Sequence, residues 1–198
     1  MSGKPRIAII ISSTRPTRFA DLPAQWVLKQ ANARSDMEAE IVDLRDHPLP
    51  FFDEIASSGF APSRGAEAIR WQQTLKRFDG FIFVLAEYNF AVTGALKNAI
   101  DHAYHEWSFK PFTAVAYGGT GGVRALENLR TIATPLQMVS TRSSVHIGGA
   151  DFVSVHPGYG IKKPIEAIED HILPSANAAL DELSTWLGIL RVANGRAA

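Results

Sequence analysis

Three apolar runs in this chain each break into small polar, glycine or cationic residues, and that pattern narrows the folds open to it. Residues 6–11 (RIAIII) run into Ser12-Ser13-Thr14-Arg15-Pro16-Thr17-Arg18. Residues 81–85 (FIFVL) run into Ala86-Glu87-Tyr88-Asn89. Residues 112–116 (FTAVA) run into Tyr117-Gly118-Gly119-Thr120-Gly121-Gly122. Short continuous apolar runs, bounded by turn residues and followed by helix-period patterns, are the mark of buried parallel strands. In open α/β sheets ligands bind beyond the carboxyl ends of the strands, so all three stretches fall on the functional rim.

The rest of the chain completes an alternation of strands and helices. Strands are expected at residues 6–11, 39–44, 80–85, 112–116 and 137–145. The first helix carries Phe19, Leu22, Trp26, Val27 and Ala31 at the spacing of one buried face, with Pro23 in its first turn, where a missing N–H costs nothing. Further helices are expected over 65–77, over 93–104 with Thr93 as cap, over 123–134 and over 164–190. Residues 47–63 form a proline- and glycine-punctuated loop long enough to suggest an interface or an active-site role. No linker or repeat divides the chain, which reads as one domain over residues 1–198.

The βαβ alternation argues for a three-layer α/β sandwich around a five-stranded parallel sheet. In the order 3-2-1-4-5 the third strand would lie at an edge, away from the fourth. In the flavodoxin-like order 2-1-3-4-5 strands one, three and four are neighbours. Only that second order gathers the three rim stretches into one site.

Their chemistry suits a flat ring with a phosphate tail. Residues 12–18 offer four hydroxyls, two guanidinium groups and the free N–H groups of a helix start, an anion site for a terminal monophosphate. The stretch holds no glycine, so it is neither the GxGxxG turn for a pyrophosphate nor a nucleoside-triphosphate loop. The bland alternative is a capped helix start with solvated arginines. Tyr88 can cover a planar ligand, or simply close the rim of the sheet. Residues 118–122 hold four glycines in five positions, more than a tight turn needs, which favours close approach of a ligand.

Other chemistries are poorly served. No cysteine is present, which removes disulfides, thiolate metal sites and cysteine nucleophiles. Twenty basic residues balance twenty acidic ones, giving no basic excess for nucleic acid or a membrane surface. The apolar stretch near the N-terminus is too short for a membrane span and lacks a cleavage site, so the protein is expected in the cytoplasm. His102 and His105 with Glu106 lack a third ligand at recognisable spacing, so no metal site is assigned. His146 and His156 read as bland. No GxSxG elbow is present. Trp26, Trp71 and Trp186 are expected in packing, and Trp107 at a subunit contact or near a ligand.

With these residues in view the chain resembles the NADPH-dependent FMN reductase family, flavodoxin-like proteins that include quinone, azo-dye and chromate reductases. Residues 12–18 resemble the family's GSxRxxS loop. AEYN at 86–89, followed by GALKNAID at 94–101, resembles PEYN followed by GxLKNAID. Residues 117–122 resemble YGGxGG. The resemblance implies that Ser13, Arg15, Thr17 and Arg18, with the amides of Phe19 and Ala20, hold an FMN phosphate. It implies that Glu87, Tyr88, Asn89 and Phe90 contact the isoalloxazine from one side, and Gly118, Gly119, Thr120 and Gly121 from the other. Ser12 stands for the usual glycine, Ala86 for proline, and Phe90 for a small or polar residue.

The implied activity passes hydride from NADPH or NADH to bound FMN, and then electrons to a small acceptor such as a quinone, free flavin, azo compound or metal oxyanion. The cofactor carries that chemistry, so no side chain is named as an essential acid or base. A homodimer or a dimer of dimers is implied, with the 93–104 helix and the loop after it near the interface. The competing class is a flavodoxin-type electron carrier; such carriers are usually acidic, whereas this chain is neutral. A third is a regulatory protein that has kept the fold and lost the flavin.

Overall fold

A computed structural model describes residues 3–193. Its elements are β1 (Arg6–Ile11), α1 (Asp21–Asn32), β2 (Glu38–Asp43), α2 (Ala66–Lys76), β3 (Gly80–Ala86), α3 (Gly94–Asp101), β4 (Pro111–Tyr117), α4 (Val123–Ala133), β5 (Val139–Ser140), β6 (Val145–Ile147), α5 (Gly149–Val155) and α6 (Glu169–Ala193). The strands are parallel and run β2-β1-β3-β4-β5, with β6 also paired to β4. This is the flavodoxin-like order expected from the sequence.

Period-two alternation sorts the central strands between two faces. Ile7, Ile9, Ile11, Ile82, Val84, Val115 and Tyr117 face α1, α5 and α6. Ala8, Ile10, Phe81, Phe83, Leu85, Phe112 and Ala114 face α2, α3 and α4. Every residue of β3 and β4 is buried, which is why those runs are apolar throughout rather than alternating. Trp71 and Trp107 fill the second face, and each indole N–H finds a carbonyl: Trp71 that of Ala99 at 2.7 Å, Trp107 that of Ile100 at 3.2 Å. Trp107 is therefore core, not a rim or subunit residue. Trp26 is buried and Trp186 half-buried.

Four other expectations shift. The fifth strand is broken in two: β5 pairs with Pro111 and Phe112, and β6 with Val115 to Tyr117. Side chains from elsewhere take over the intervening backbone groups. Glu182 of α6 accepts the N–H of Arg142 at 2.6 Å and of Ser143 at 3.1 Å, while Arg130 of α4 donates to the carbonyls of Thr141 and Arg142. Leu22, expected on the buried face of α1, is 40% exposed, and Pro23 and Ala24 are buried instead. Residues 146–163, between the expected fifth strand and the expected last helix, contain α5 and a 3-10 turn at Pro157–Tyr159. Helix α6 begins at Glu169, after a 3-10 turn over Ile165–Ile168.

The long loop at 47–63 is docked on α3. Asn98 donates to the carbonyl of Pro50 at 2.7 Å and accepts from the N–H of Phe52 at 3.0 Å, and a ring nitrogen of His102 lies 2.9 Å from the same Pro50 carbonyl. His102 is thus a buried structural histidine. Among the described residues no cluster of three or more potential metal ligands occurs, and no helix is long and apolar enough to cross a membrane.

Candidate functional site

The carboxyl ends of β1, β3 and β4 lie side by side, and Ser12 ties them together. Its N–H donates to the carbonyl of Val84, its hydroxyl accepts the N–H of Ala86 at 3.1 Å, and its carbonyl accepts the Thr93 hydroxyl at 2.6 Å. Thr93 in turn caps α3 by accepting the N–H of Leu96. Ser13, next along, shares a 2.9 Å hydrogen bond with the Tyr88 hydroxyl, joining the first rim stretch to the second.

Arg18 is in the lining of the rim cavity, but its guanidinium is spent on the fold. Its side chain is 1% exposed and points inward. It donates to the Ser13 carbonyl at 2.8 Å, to both carboxylate oxygens of Asp43 at 2.7 and 2.6 Å, and to Asp21. One guanidinium thereby fixes the loop after β1 to the start of α1 and the end of β2. Burial opposes the charge on Arg18, but hydrogen bonds to Asp43 and then Asp21 outweigh it and hold its pKa above the ordinary value. The same balance, burial against the Arg18 and Arg45 hydrogen bonds, holds the Asp43 carboxyl well below the usual range. No donor is left on Arg18 that points into the rim site.

Arg15 is the opposite case. It is exposed, and its guanidinium makes no hydrogen bond or ion pair among the described residues. Thr17 is exposed beside it. The buried Phe19 and Ala20 lead into α1, and their backbone N–H groups have no partner among the described residues.

The second stretch is a tight turn. Tyr88 and Ala91 exchange both backbone hydrogen bonds at 3.1 Å, which forces Asn89 (φ +50°) and Phe90 (φ +67°) into the left-handed region. Asparagine tolerates that conformation; a bulky aromatic does so at a cost of about 1–3 kcal/mol. Glu87 lines the cavity, and its side chain reaches the start of α4. It accepts the N–H groups of Arg124 (3.0 Å) and Ala125 (3.2 Å) and a 3.4 Å bond from the Thr120 hydroxyl, capping α4 and tying it to the glycine stretch.

The glycine stretch is shaped by close approach. A Cβ on Gly122 (φ +68°) would stand 2.7 Å from the backbone nitrogen of Tyr117, so that position accepts no side chain. At Gly119 nothing lies within 4 Å of a Cβ, so its missing side chain leaves open space. The N–H groups of Gly119 and Thr120 have no partner among the described residues, whereas those of Gly118 and Gly121 are used by Ile147 and Gly118.

Between these stretches lies a cavity of about 350 Å³ lined by residues that include Ser13, Arg15, Tyr88, Tyr117, Gly118 and Gly119. Its fourth wall is one that sequence reasoning missed. Phe152 and His156 of the α5 segment, with Tyr159, continue the aromatic cluster of Phe19 and Tyr117: Phe19 meets Tyr117 edge-on at 5.0 Å, and Phe152 and His156 lie 4.8 Å apart. The cue available was another glycine-punctuated aromatic stretch, HPGYG, shortly after a strand. His156 Nδ1 accepts the Gly158 N–H at 3.0 Å, so the neutral ring carries its proton on Nε2. Burial, and then the charge of Arg15, hold the His156 pKa below its usual value. Burial, and then Tyr88, raise that of the Tyr117 hydroxyl. His146, in contrast, is structural, bonded to the Gly121 carbonyl at 2.8 Å and to Ser144.

The family profile described as NADPH-dependent FMN reductase matches residues 5–151. The chain belongs to that family. An NAD(P)H-dependent FMN reductase of Schizosaccharomyces pombe is 36% identical over 136 residues, 68% of each chain. A quinone reductase of Pseudomonas putida is 27% identical over 199 residues, covering 96% of this chain and 99% of its own. Among solved structures, the FerB flavoenzyme NAD(P)H:(acceptor) oxidoreductase of Paracoccus denitrificans superposes with a TM-score of 0.66 at 18% identity, covering 91% of this chain and 98% of its own. An FMN-dependent NADH-azoreductase of Bacillus anthracis, solved with FMN, gives 0.60 at 13%, covering 90% and 99%. At those identities the structures speak for the fold alone. His156 and Tyr159 lie beyond the matched span.

Two departures of this FMN reductase family member from the GSxRxxS and PEYN patterns are one feature. A proline at 86 would have no N–H and a glycine at 12 no hydroxyl; here the Ser12 hydroxyl accepts the Ala86 N–H.

The Arg18–Asp43 pair sets an acid sensitivity. Asp43 has a lower pKa folded than unfolded, where about 3.9 is usual. Its contribution is therefore present above about pH 4 and lost as pH falls through the folded value. Denaturant midpoints at pH 7 and pH 3 should differ by less in Asp43→Asn than in the wild type. An equal difference would show that Asp43 is not held ionised by Arg18.

Proposed function

We propose that the chain is an NAD(P)H-dependent FMN oxidoreductase and that the rim site between β1, β3 and β4 is where it binds the cofactor. The observation that carries this is the set of unspent donors around one cavity. The Arg15 guanidinium and the N–H groups of Phe19 and Gly119, residues of a lining that includes an aromatic cluster, lack partners among the described residues, as do the N–H groups of their chain neighbours Ala20 and Thr120. That donor set fits a ring system with a phosphate tail.

In this reading Arg15, Thr17, the Ser13 hydroxyl and the N–H groups of Phe19 and Ala20 receive the phosphate, with charge and helix start acting together. Arg18 positions that loop without touching the ligand. Tyr88, Asn89 and Phe90 face the ring from one side and Gly118 to Gly121 from the other, with Glu87 holding the glycine stretch to α4. His156 adds a neutral Nε2–H on the aromatic wall. Bound FMN supplies the two-electron chemistry between the nicotinamide and the acceptor. The protein's own part is to bind, orient and keep water from the ring, which requires no dedicated acid or base.

The 47–63 loop and α3 form the surface we assign to a contact between copies of the chain, in a homodimer or a dimer of dimers. Phe51 and Phe60, both 89% exposed, lie on that loop. Sedimentation at micromolar concentration should give at least a dimer, and Phe60→Ser should lower the assembly; a wild-type monomer would remove the assignment. Arg15→Ala should weaken FMN binding by roughly one to two orders of magnitude, for a charge-assisted contact of about 1.5–3 kcal/mol. An unchanged dissociation constant would return Arg15 to the solvated surface.

The activity itself is tested by kinetics. NADPH alone, without acceptor, should bleach the bound flavin, and initial-rate plots at several quinone concentrations should be parallel. Flavin that NADPH never reduces would favour an electron carrier, and intersecting lines would require a separate acceptor site.

A further inference from the structure

Phe90 occupies a backbone position that its side chain makes expensive, and the fold makes no use of that side chain. The turn at Tyr88–Ala91 needs left-handed dihedrals at its two middle residues, where Asn-Gly would be the unstrained choice. A phenylalanine stands there at φ +67° and is 66% exposed, so the strain is not offset by burial. Strain of this kind persists where a site requires it.

The ring has one neighbour of note. The Arg124 guanidinium carbon lies 4.2 Å from its centroid, within the range of a cation–π contact. The charge on Arg124 is not closely paired. Its nearest carboxylate, Glu87, is 4.0 Å away, at the limit of an ion pair. Glu87 is already occupied by the N–H groups of Arg124 and Ala125 and by the Thr120 hydroxyl. The rim therefore presents an exposed aromatic face and an under-neutralised planar cation side by side, next to Tyr88. A planar aromatic molecule stacking on Phe90 would bring a substituent on its edge to the guanidinium, which matches sulfonate and carboxylate geometry.

We propose that Phe90 and Arg124 form the recognition platform for the electron acceptor, and that the preferred acceptors are planar aromatic quinones or azo compounds carrying an anionic substituent. This rests on reading the chain as an NAD(P)H-driven reductase. For a quinone the reaction balances as a hydride given up by NADPH, which leaves as NADP+, and one proton from solvent, both taken by the quinone to form the hydroquinone.

The test compares kcat/KM for 1,2-naphthoquinone-4-sulfonate with that for 1,2-naphthoquinone, NADPH being the donor, and compares NADPH with NADH as donor for each protein. Differences in intrinsic reactivity between the two quinones cancel when the ratio is compared between proteins. Two half-exposed contacts of modest strength should make the sulfonate-to-neutral ratio about threefold to tenfold higher in the wild type than in Arg124→Gln. Raising the salt to about 0.5 M should reduce the wild-type ratio toward that of the variant, because exposed charges are screened. Arg124→Lys, which keeps the charge and loses the planar fork, should fall between them. Phe90→Asn, which suits the left-handed turn, should lower kcat/KM for both quinones and leave the melting temperature no lower.

A ratio unchanged by Arg124→Gln overturns the proposal. So does a change confined to the preference for NADPH over NADH, which would give the cation to the donor's phosphate. Wild-type protein that oxidises NADPH with neither quinone, although it binds FMN, overturns the reductase reading and the proposal with it. Oxidation with both and no role for Arg124 overturns the proposal alone.

Discussion

The rim site depends on one buried guanidinium. Arg18 holds the Ser13 carbonyl, the Asp43 carboxylate and Asp21 together, so the loop after β1 is fixed to the first helix and to the edge strand. Ion pairs taken out of water add little net stability, since desolvation offsets most of the attraction. Their better use is geometric, and that is how Arg18 acts. With its bonds satisfied inward, Arg18 fixes the shape of the loop, and Arg15 is left exposed outside it.

The same division recurs at the other two stretches. Glu87 resembles a ligand contact in sequence, yet it caps α4 and secures the glycine stretch, while its neighbours Tyr88 to Phe90 make the exposed turn. Gly122 is required by close packing against Tyr117, and Gly119 opens space. In each stretch one residue satisfies the fold while another is left exposed or unpartnered. Local rules are broken at Phe90 and at the unpartnered donors, all on one rim, which is where a functional site is expected to depart from folding consistency.

What the sequence revealed and what it hid follow from the range of the interactions involved. Strands β1, β3 and β4 were legible because burial on both faces leaves an uninterrupted apolar run, and the sheet order followed from requiring their ends to meet. The broken fifth strand was not legible, because its gap is filled by Glu182 and Arg130 from distant helices. Arg18 looked like a ligand residue because its partner Asp43 lies twenty-five positions away, at the end of another strand. Leu22 fitted the helical period, but α1 turns Pro23 and Ala24 inward instead. His156 read as bland because nothing local marks it; only the packing of α5 against Phe19 brings its ring to the cavity.

We propose that the rim is a site for a ring bearing a terminal phosphate. Titrating the apoprotein with FMN, riboflavin and FAD, following flavin fluorescence, tests it directly. FMN should bind at least tenfold more tightly than riboflavin, from the phosphate contacts at Arg15 and the start of α1, and more tightly than FAD. Riboflavin binding as tightly as FMN, or FAD binding best, would contradict it.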